Sequence, residues 1–98
     1  MSDRRNPFED FDVSRVPSPC FVVDEVAVER NLKILNRVQK ESGAKVLAAL
    51  KAFSMWNLAP RVSKYLSGTC ASGLHEARLG REEYGGEVHV FSAAYTET

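Results

Sequence analysis

Short apolar runs alternate with longer stretches of helical periodicity along the chain, and this alternation restricts the fold more than any other feature of the sequence. We predict a strand at each run, and the runs lie at Cys20–Val23, Val46–Leu50, Thr69–Ala71 and Glu87–Phe91. Runs of this length are too short for typical helices. The first residues of the last three apolar runs are separated by close to the length of a compact βα unit. The order of elements therefore predicts parallel strands joined by right-handed crossovers.

Three helices are predicted between these strands. They extend from an Asp24 cap to about Ser42, from Asn57 to Leu66, and from a Ser72 cap to about Tyr84. The first has apolar residues at helical spacing, and Gly43 follows it as a stop signal. Pro60 is tolerated in the second helix because it falls in the first turn, where no intrahelical donor is lost. Gly85 and Gly86 end the third.

The number of predicted strands limits the possible architectures. Parallel strands need cover on both faces, and only about four are predicted here. An open doubly wound sheet can just be built from them, whereas a (β/α)8 barrel takes roughly 250 residues and cannot close within 98. We expect either a small α/β domain or part of a larger protein, and the abrupt end of the sequence after a strand favours the second.

Composition excludes several classes of function. Lys+Arg and Asp+Glu both number 13, so there is no basic excess with which to bind nucleic acid. No apolar run approaches the roughly 18 residues of a membrane span, and the charged N-terminus has no signal-peptide pattern. Cys20 and Cys70 lack the spacing of a metal site or a disulfide framework, which indicates reduced thiols in a cytoplasmic protein.

Lys51 is the main candidate for chemistry. It directly follows the predicted strand Val46–Leu50 and precedes Ala52 and Phe53, which places it at the carboxyl end of a parallel strand, where α/β folds carry their active sites. Apolar neighbours disfavour the ammonium form, and a neutral amine can attack an aldehyde. The alternative is a lysine whose stem packs on Leu50 while its charged head reaches water. Spacing alone does not make Lys51 catalytic.

Five stretches resemble, in order and spacing, the carboxynorspermidine decarboxylase family of pyridoxal-phosphate (PLP) enzymes. Ala48–Ser54 is similar to the family's A-L-K-A-F-S segment, in which the lysine carries PLP. The other stretches are Val16–Asp24, Asn31-Leu32, Gly68–Gly80 and Val88–Tyr95. Together they favour this family over the related diaminopimelate and ornithine decarboxylases. This sequence departs from the family pattern at Gly73, Phe91 and Ala93, none of which touches the lysine.

The resemblance implies a fold, a cofactor and an activity. The fold is the N-terminal part of a PLP-binding (β/α)8 barrel of the alanine racemase type, incomplete here, with a polar leader at residues 1–17 and the partial barrel domain at residues 18–98. Lys51 is implied as the catalytic, cofactor-bearing residue, and Thr69 and Ser72 as further cofactor contacts. The implied protein is a cytoplasmic enzyme, homodimeric at full length, that decarboxylates carboxynorspermidine or carboxyspermidine in polyamine biosynthesis. The 98-residue chain is expected to be inactive alone.

Other polar residues have simpler explanations. Glu76 falls in the first turn of a predicted helix, where a carboxylate interacts favourably with the helix dipole, and His75 is given no role. His89 alternates with Val88 and Val90, so it faces away from them, and we interpret it as a core histidine with satisfied hydrogen bonds.

Three alternative functions remain open. One is a related PLP barrel decarboxylase of the diaminopimelate or ornithine type. Another is a small barrel protein that binds PLP without decarboxylating anything, although the match over Gly68–Gly80 speaks against it. The last is a non-catalytic remnant.

Overall fold

The computed structural model describes residues 8–92. Its helices are α1 (Glu25–Ser42), α2 (Ala59–Tyr65) and α3 (Leu74–Leu79), and its strands are β1 (Leu47–Ala49), β2 (Gly68–Ala71) and β3 (Glu87–Val90). Short 3-10 turns lie at Val13–Arg15 and Trp56–Leu58, and a π-helical turn at Gly80–Tyr84 continues α3. The first seven residues of the predicted leader, and the end of the predicted barrel segment from Ala93 onward, lie outside the described residues.

The three strands form one parallel sheet in the order β1-β2-β3. Leu47 of β1 pairs with Gly68, and Gly68 pairs in turn with Glu87 of β3. A Cβ atom at Gly68 would collide with the carbonyl oxygen of Glu87, so this close approach of two strands requires glycine. The predicted parallel pairing is confirmed.

Helix α1 begins and ends where the sequence indicates. The Asp24 side chain accepts hydrogen bonds from the backbone N–H groups of Val26 and Ala27, at 3.0 and 3.3 Å. At the other end Gly43 adopts a left-handed conformation (φ 80°), and its N–H donates to the carbonyl of Gln39. These two caps satisfy backbone groups that a helix otherwise leaves unpaired.

The helices cover one face of the sheet. A single buried cluster joins α1, the residue that follows β1, α2 and the π-helical turn, and it consists of Leu32, Leu50, Ala59, Val62 and Tyr84. A doubly wound sheet carries helices on both faces, whereas a singly wound barrel carries them all on its outer face. Sequential strand order with helices on one face therefore matches an arc of a singly wound α/β structure.

Two sequence predictions about secondary structure are wrong. The run Cys20–Val23 is not a strand, and the Phe21 side chain within it is 95% exposed. An apolar run forms a strand only beside a ladder partner, and none of the three strands in residues 8–92 runs alongside it. Ser72 is not the cap of α3, because the helix starts one residue later than predicted and the cap position falls on Gly73.

Apart from α1, the remaining predicted elements are present with shifted ends. The second predicted helix is divided into a 3-10 turn and α2, and the third changes from α to π geometry at Gly80. Within residues 8–92, no helix combines the length and apolar character needed to cross a membrane.

Candidate active site

The sheet has a helix-covered face and an open face. Ala48 of β1 packs against the core cluster beneath the helices, and successive residues of a strand point to opposite faces. Ala49 therefore lies on the open face, as do its register partner Cys70 and the register partner of Cys70, His89. Ala49 and His89 are exposed. These three residues thus form one row across the open face of the sheet.

Lys51 lies at the point where β1 ends. The backbone N–H groups of Ala52 and Phe53 both donate to the carbonyl of Ala49, at 3.0 and 3.1 Å, so the chain turns sharply and leaves the sheet. Leu50 before the lysine is buried, whereas Lys51 itself is exposed. The apolar surroundings expected from its neighbours in the sequence are therefore not seen at the lysine itself, and within residues 8–92 its amine has no ion-pair partner.

Ser72 lies at the same edge, one strand over. Ala49 and Cys70 are in register. Lys51 follows Ala49 by two residues, and Ser72 follows Cys70 by two residues, so both come just after the strands end. The backbone N–H and hydroxyl of Ser72 both donate to the Glu76 carboxylate, at 2.9 and 3.0 Å. Glu76 thereby fixes the loop and directs the hydroxyl proton toward α3, which leaves the Ser72 oxygen as an acceptor.

Thr69 is placed differently from the other two candidates. Its side chain is 1% exposed, and its hydroxyl has no hydrogen-bond partner among the described residues. A Cβ atom built at Gly80 would collide with this hydroxyl oxygen, so the Thr69 side chain points to the helix-covered face. The structure therefore brings Lys51 and Ser72 together at one edge and does not bring the Thr69 hydroxyl to the open face.

An ion-pair network on the open face was missed by sequence reasoning. The Glu87 carboxylate pairs with the Lys45 ammonium through one oxygen and with Nε2 of His89, at 3.0 Å, through the other. The hydrogen bond from Lys45, followed by that from His89, holds the pKa of Glu87 below its ordinary value. The one signal in the sequence is the Glu-x-His spacing on a strand, which places both side chains on the same face.

The arrangement defines a class of protein. A primary amine at the end of one parallel strand, with a hydroxyl held by a carboxylate at the end of the next, suits covalent chemistry on an aldehyde or ketone. No group of three or more His, Cys, Asp or Glu side chains within residues 8–92 is placed to hold a metal ion. The fold and this edge are those of a singly wound α/β segment with a strand-end lysine.

Comparison with known proteins identifies relatives of the chain. No protein-family model matches the chain. The chain is 39% identical over 82 residues to the carboxynorspermidine/carboxyspermidine decarboxylase of Herminiimonas arsenicoxydans, an alignment that covers 84% of this chain and 22% of the relative. It is 42% identical over 90 residues to the carboxyaminopropylagmatine decarboxylase of Synechocystis sp., covering 92% of this chain and 23% of that protein.

A solved structure agrees with these relatives. The crystal structure of carboxynorspermidine decarboxylase complexed with norspermidine, from Campylobacter jejuni, superposes with a TM-score of 0.80 at 36% sequence identity. The match covers 84% of this chain and 22% of that one. The chain is thus a homologue of the carboxynorspermidine/carboxyspermidine decarboxylases, and the resemblance predicted from its residues is confirmed. It spans less than a quarter of the length of these relatives.

Proposed function

We propose that this chain supplies the lysine-bearing segment of a PLP-dependent decarboxylase that acts on carboxylated polyamines, with Lys51 as the cofactor-bearing residue. The observation that carries the proposal is the position of Lys51: an exposed amine without an ion-pair partner in residues 8–92, at the end of a parallel strand, in a segment homologous to decarboxylases. When bound, PLP withdraws electrons from the substrate carbon that loses its carboxylate.

The described residues fit the aldehyde end of this cofactor. The turn after Ala49 holds Lys51 at the edge of the sheet, and the buried side chain of Leu50 anchors that turn in the core. Ser72 offers an acceptor oxygen at the same edge, oriented through Glu76. The Thr69 hydroxyl is buried against Gly80, and we therefore assign Thr69 to packing at the base of the site. We assign the cofactor contacts to Lys51 and Ser72.

The substrate is proposed from the names of the relatives. Two of them are named carboxynorspermidine/carboxyspermidine decarboxylase, and the solved relative holds norspermidine. The Synechocystis relative is named for carboxyaminopropylagmatine, and its 42% identity favours that compound as a second candidate substrate. In the complete protein we propose a closed (β/α)8 barrel, a homodimer and a cytoplasmic location.

Substitution of Lys51 in the complete enzyme tests the proposal. Release of carbon dioxide from all three carboxylated substrates should be measured for Lys51→Ala and Lys51→Arg, with Lys40→Ala on the exposed surface of α1 as the matched control. Both Lys51 variants should lose activity by about 10³-fold or more, because guanidinium stays protonated and cannot replace a reactive amine. Activity retained within tenfold in Lys51→Arg would contradict the proposal.

A further inference from the structure

The sheet carries two lysines, one at each end of β1. Lys45 precedes the strand and Lys51 follows it, and both are exposed. The Lys45 ammonium donates a hydrogen bond to Oε2 of Glu87 on the far strand, β3, whereas the Lys51 amine has no ion-pair partner within residues 8–92. The two amines therefore differ in their partners rather than in their burial.

The contact between Lys45 and Glu87 crosses the middle strand. The register partner of Glu87 on β2 is Gly68, so no side chain of β2 stands at that level. The second oxygen of the carboxylate, Oε1, lies 3.0 Å from Nε2 of His89. Both oxygens of Glu87 are thus engaged, and the carboxylate is fixed by two partners. His89 itself is exposed, so its interpretation as a core histidine is wrong.

An ion pair makes a lysine less reactive toward aldehydes. In imine formation the neutral amine nitrogen adds to the aldehyde carbon, a C=N bond forms and water leaves. An ammonium group has no free electron pair, so Lys45 must first lose a proton to solvent and give up its bond to Glu87. Glu87 is a carboxylate at neutral pH, because hydrogen bonds from Lys45 and then His89 lower its pKa. Within residues 8–92, no carboxylate opposes the same reaction at Lys51.

We propose that Glu87 is a specificity-determining residue for attachment of the cofactor: by holding the Lys45 amine, it keeps that amine from reacting with the aldehyde and leaves Lys51 as the reactive amine of the sheet. This inference rests on the proposed function of Lys51 and gives the ion-pair network a part in it. The selection operates through Lys45, so it requires no contact between Glu87 and Lys51. His89 contributes by holding the carboxylate in place.

Reductive methylation of the cofactor-free complete enzyme measures the reactivity of each amine. Formaldehyde forms an imine with a neutral amine, and cyanoborohydride adds hydride to that imine to give a methylamine. Peptide mass spectrometry then gives the methylation rate of Lys45 relative to Lys40, an exposed lysine of α1. This ratio should rise about threefold in Glu87→Gln, as expected for the loss of one exposed ion pair. The matched control is Glu82→Gln, which removes a carboxylate that pairs with Arg78 and should leave the ratio unchanged.

Salt provides a second measurement that needs no substitution. At 1 M NaCl the screening length is about 3 Å, so the methylation ratio of Lys45 to Lys40 should rise in the parent enzyme and rise less in Glu87→Gln. An unchanged ratio in Glu87→Gln would overturn the proposal, and if that variant does not fold, the absence of a salt effect in the parent would do so. Activity retained in Lys51→Ala would contradict the proposed function instead, and it leaves the methylation ratio of Lys45 as a separate result.

Discussion

Replacing Gln39 by methionine should lower the free energy of unfolding, because the Gln39 side chain connects helix α1 to the segments that precede β1 and β2. The Gln39 amide oxygen accepts from the backbone N–H of Val46 at 2.7 Å and from the hydroxyl of Ser67 at 2.6 Å. Its amide nitrogen donates to the carbonyl of Tyr65 at 2.9 Å. One side chain on α1 thus ties the residue before β1 to the loop before β2. Methionine keeps the length and helix propensity of glutamine but forms none of these bonds.

The size of the effect follows from these contacts. Each hydrogen bond contributes about 0.5 to 1.5 kcal/mol net, and a partner left unsatisfied in a buried position costs more. The Ser67 hydroxyl can turn to water, whereas the Val46 N–H and the Tyr65 carbonyl are fixed in the backbone. We therefore expect the free energy of unfolding to fall by about 2 to 3 kcal/mol.

Urea unfolding followed by circular dichroism, at one fixed chain concentration, measures this change. Lys40→Met is the matched control, because it introduces the same side chain at the next position of α1, where the native residue is exposed. The control should change the free energy of unfolding by no more than about 0.5 kcal/mol. If Gln39→Met changes the free energy of unfolding by as little as the control, the hydrogen bonds of Gln39 do not stabilise the fold.

Three further predictions concern stability and association. The depressed pKa of Glu87 means that its pairing with Lys45 stabilises the fold above the ordinary glutamate pKa of about 4.3. That contribution should disappear as the pH falls through the lower folded value, and the acid dependence should be weaker in Glu87→Gln. Gly80→Ala should destabilise the chain by about 1 to 3 kcal/mol in urea, since the new methyl meets the Thr69 hydroxyl; Gly73→Ala, with open space around its Cβ, should have a much smaller effect. The isolated chain should be oligomeric or aggregation-prone in size-exclusion chromatography, because both edges of its sheet are unpaired within residues 8–92; a sharp monomer peak with a cooperative melt would contradict this.

Much of the fold follows from local signals in the sequence. Asp24 and Gly43 predict the two ends of α1 because each satisfies helix-terminal groups through its own side chain or backbone conformation. Short apolar runs predict the three strands of the described residues, since a buried parallel strand needs apolar residues on both faces. These signals depend only on neighbours in the chain, which is why a single sequence reveals them.

The missed features depend on partners distant in the chain. The apolar run at Cys20–Val23 indicates a tendency to be buried, but strand formation is decided by a ladder neighbour that the sequence does not identify. The Ser72 cap was wrong because α3 begins one residue later than predicted, so Gly73 takes the cap position, and the N–H and hydroxyl of Ser72 donate to Glu76 instead. The face of the sheet on which the Thr69 side chain lies depends on the strand register, because a shift of one residue moves every side chain of a strand to the opposite face.

Lys51 as the covalent attachment point for PLP is the central claim, and borohydride reduction of the complete enzyme tests it most directly. Reduction fixes the cofactor to the lysine that carries it, and proteolysis with mass spectrometry then locates the added mass. Lys45, which precedes β1 and pairs with Glu87, and Lys64, which lies on α2, serve as internal comparisons. We predict a pyridoxyl group on the peptide that contains Ala49-Leu50-Lys51-Ala52-Phe53. Label on any other lysine, or none on this peptide, would contradict the assignment.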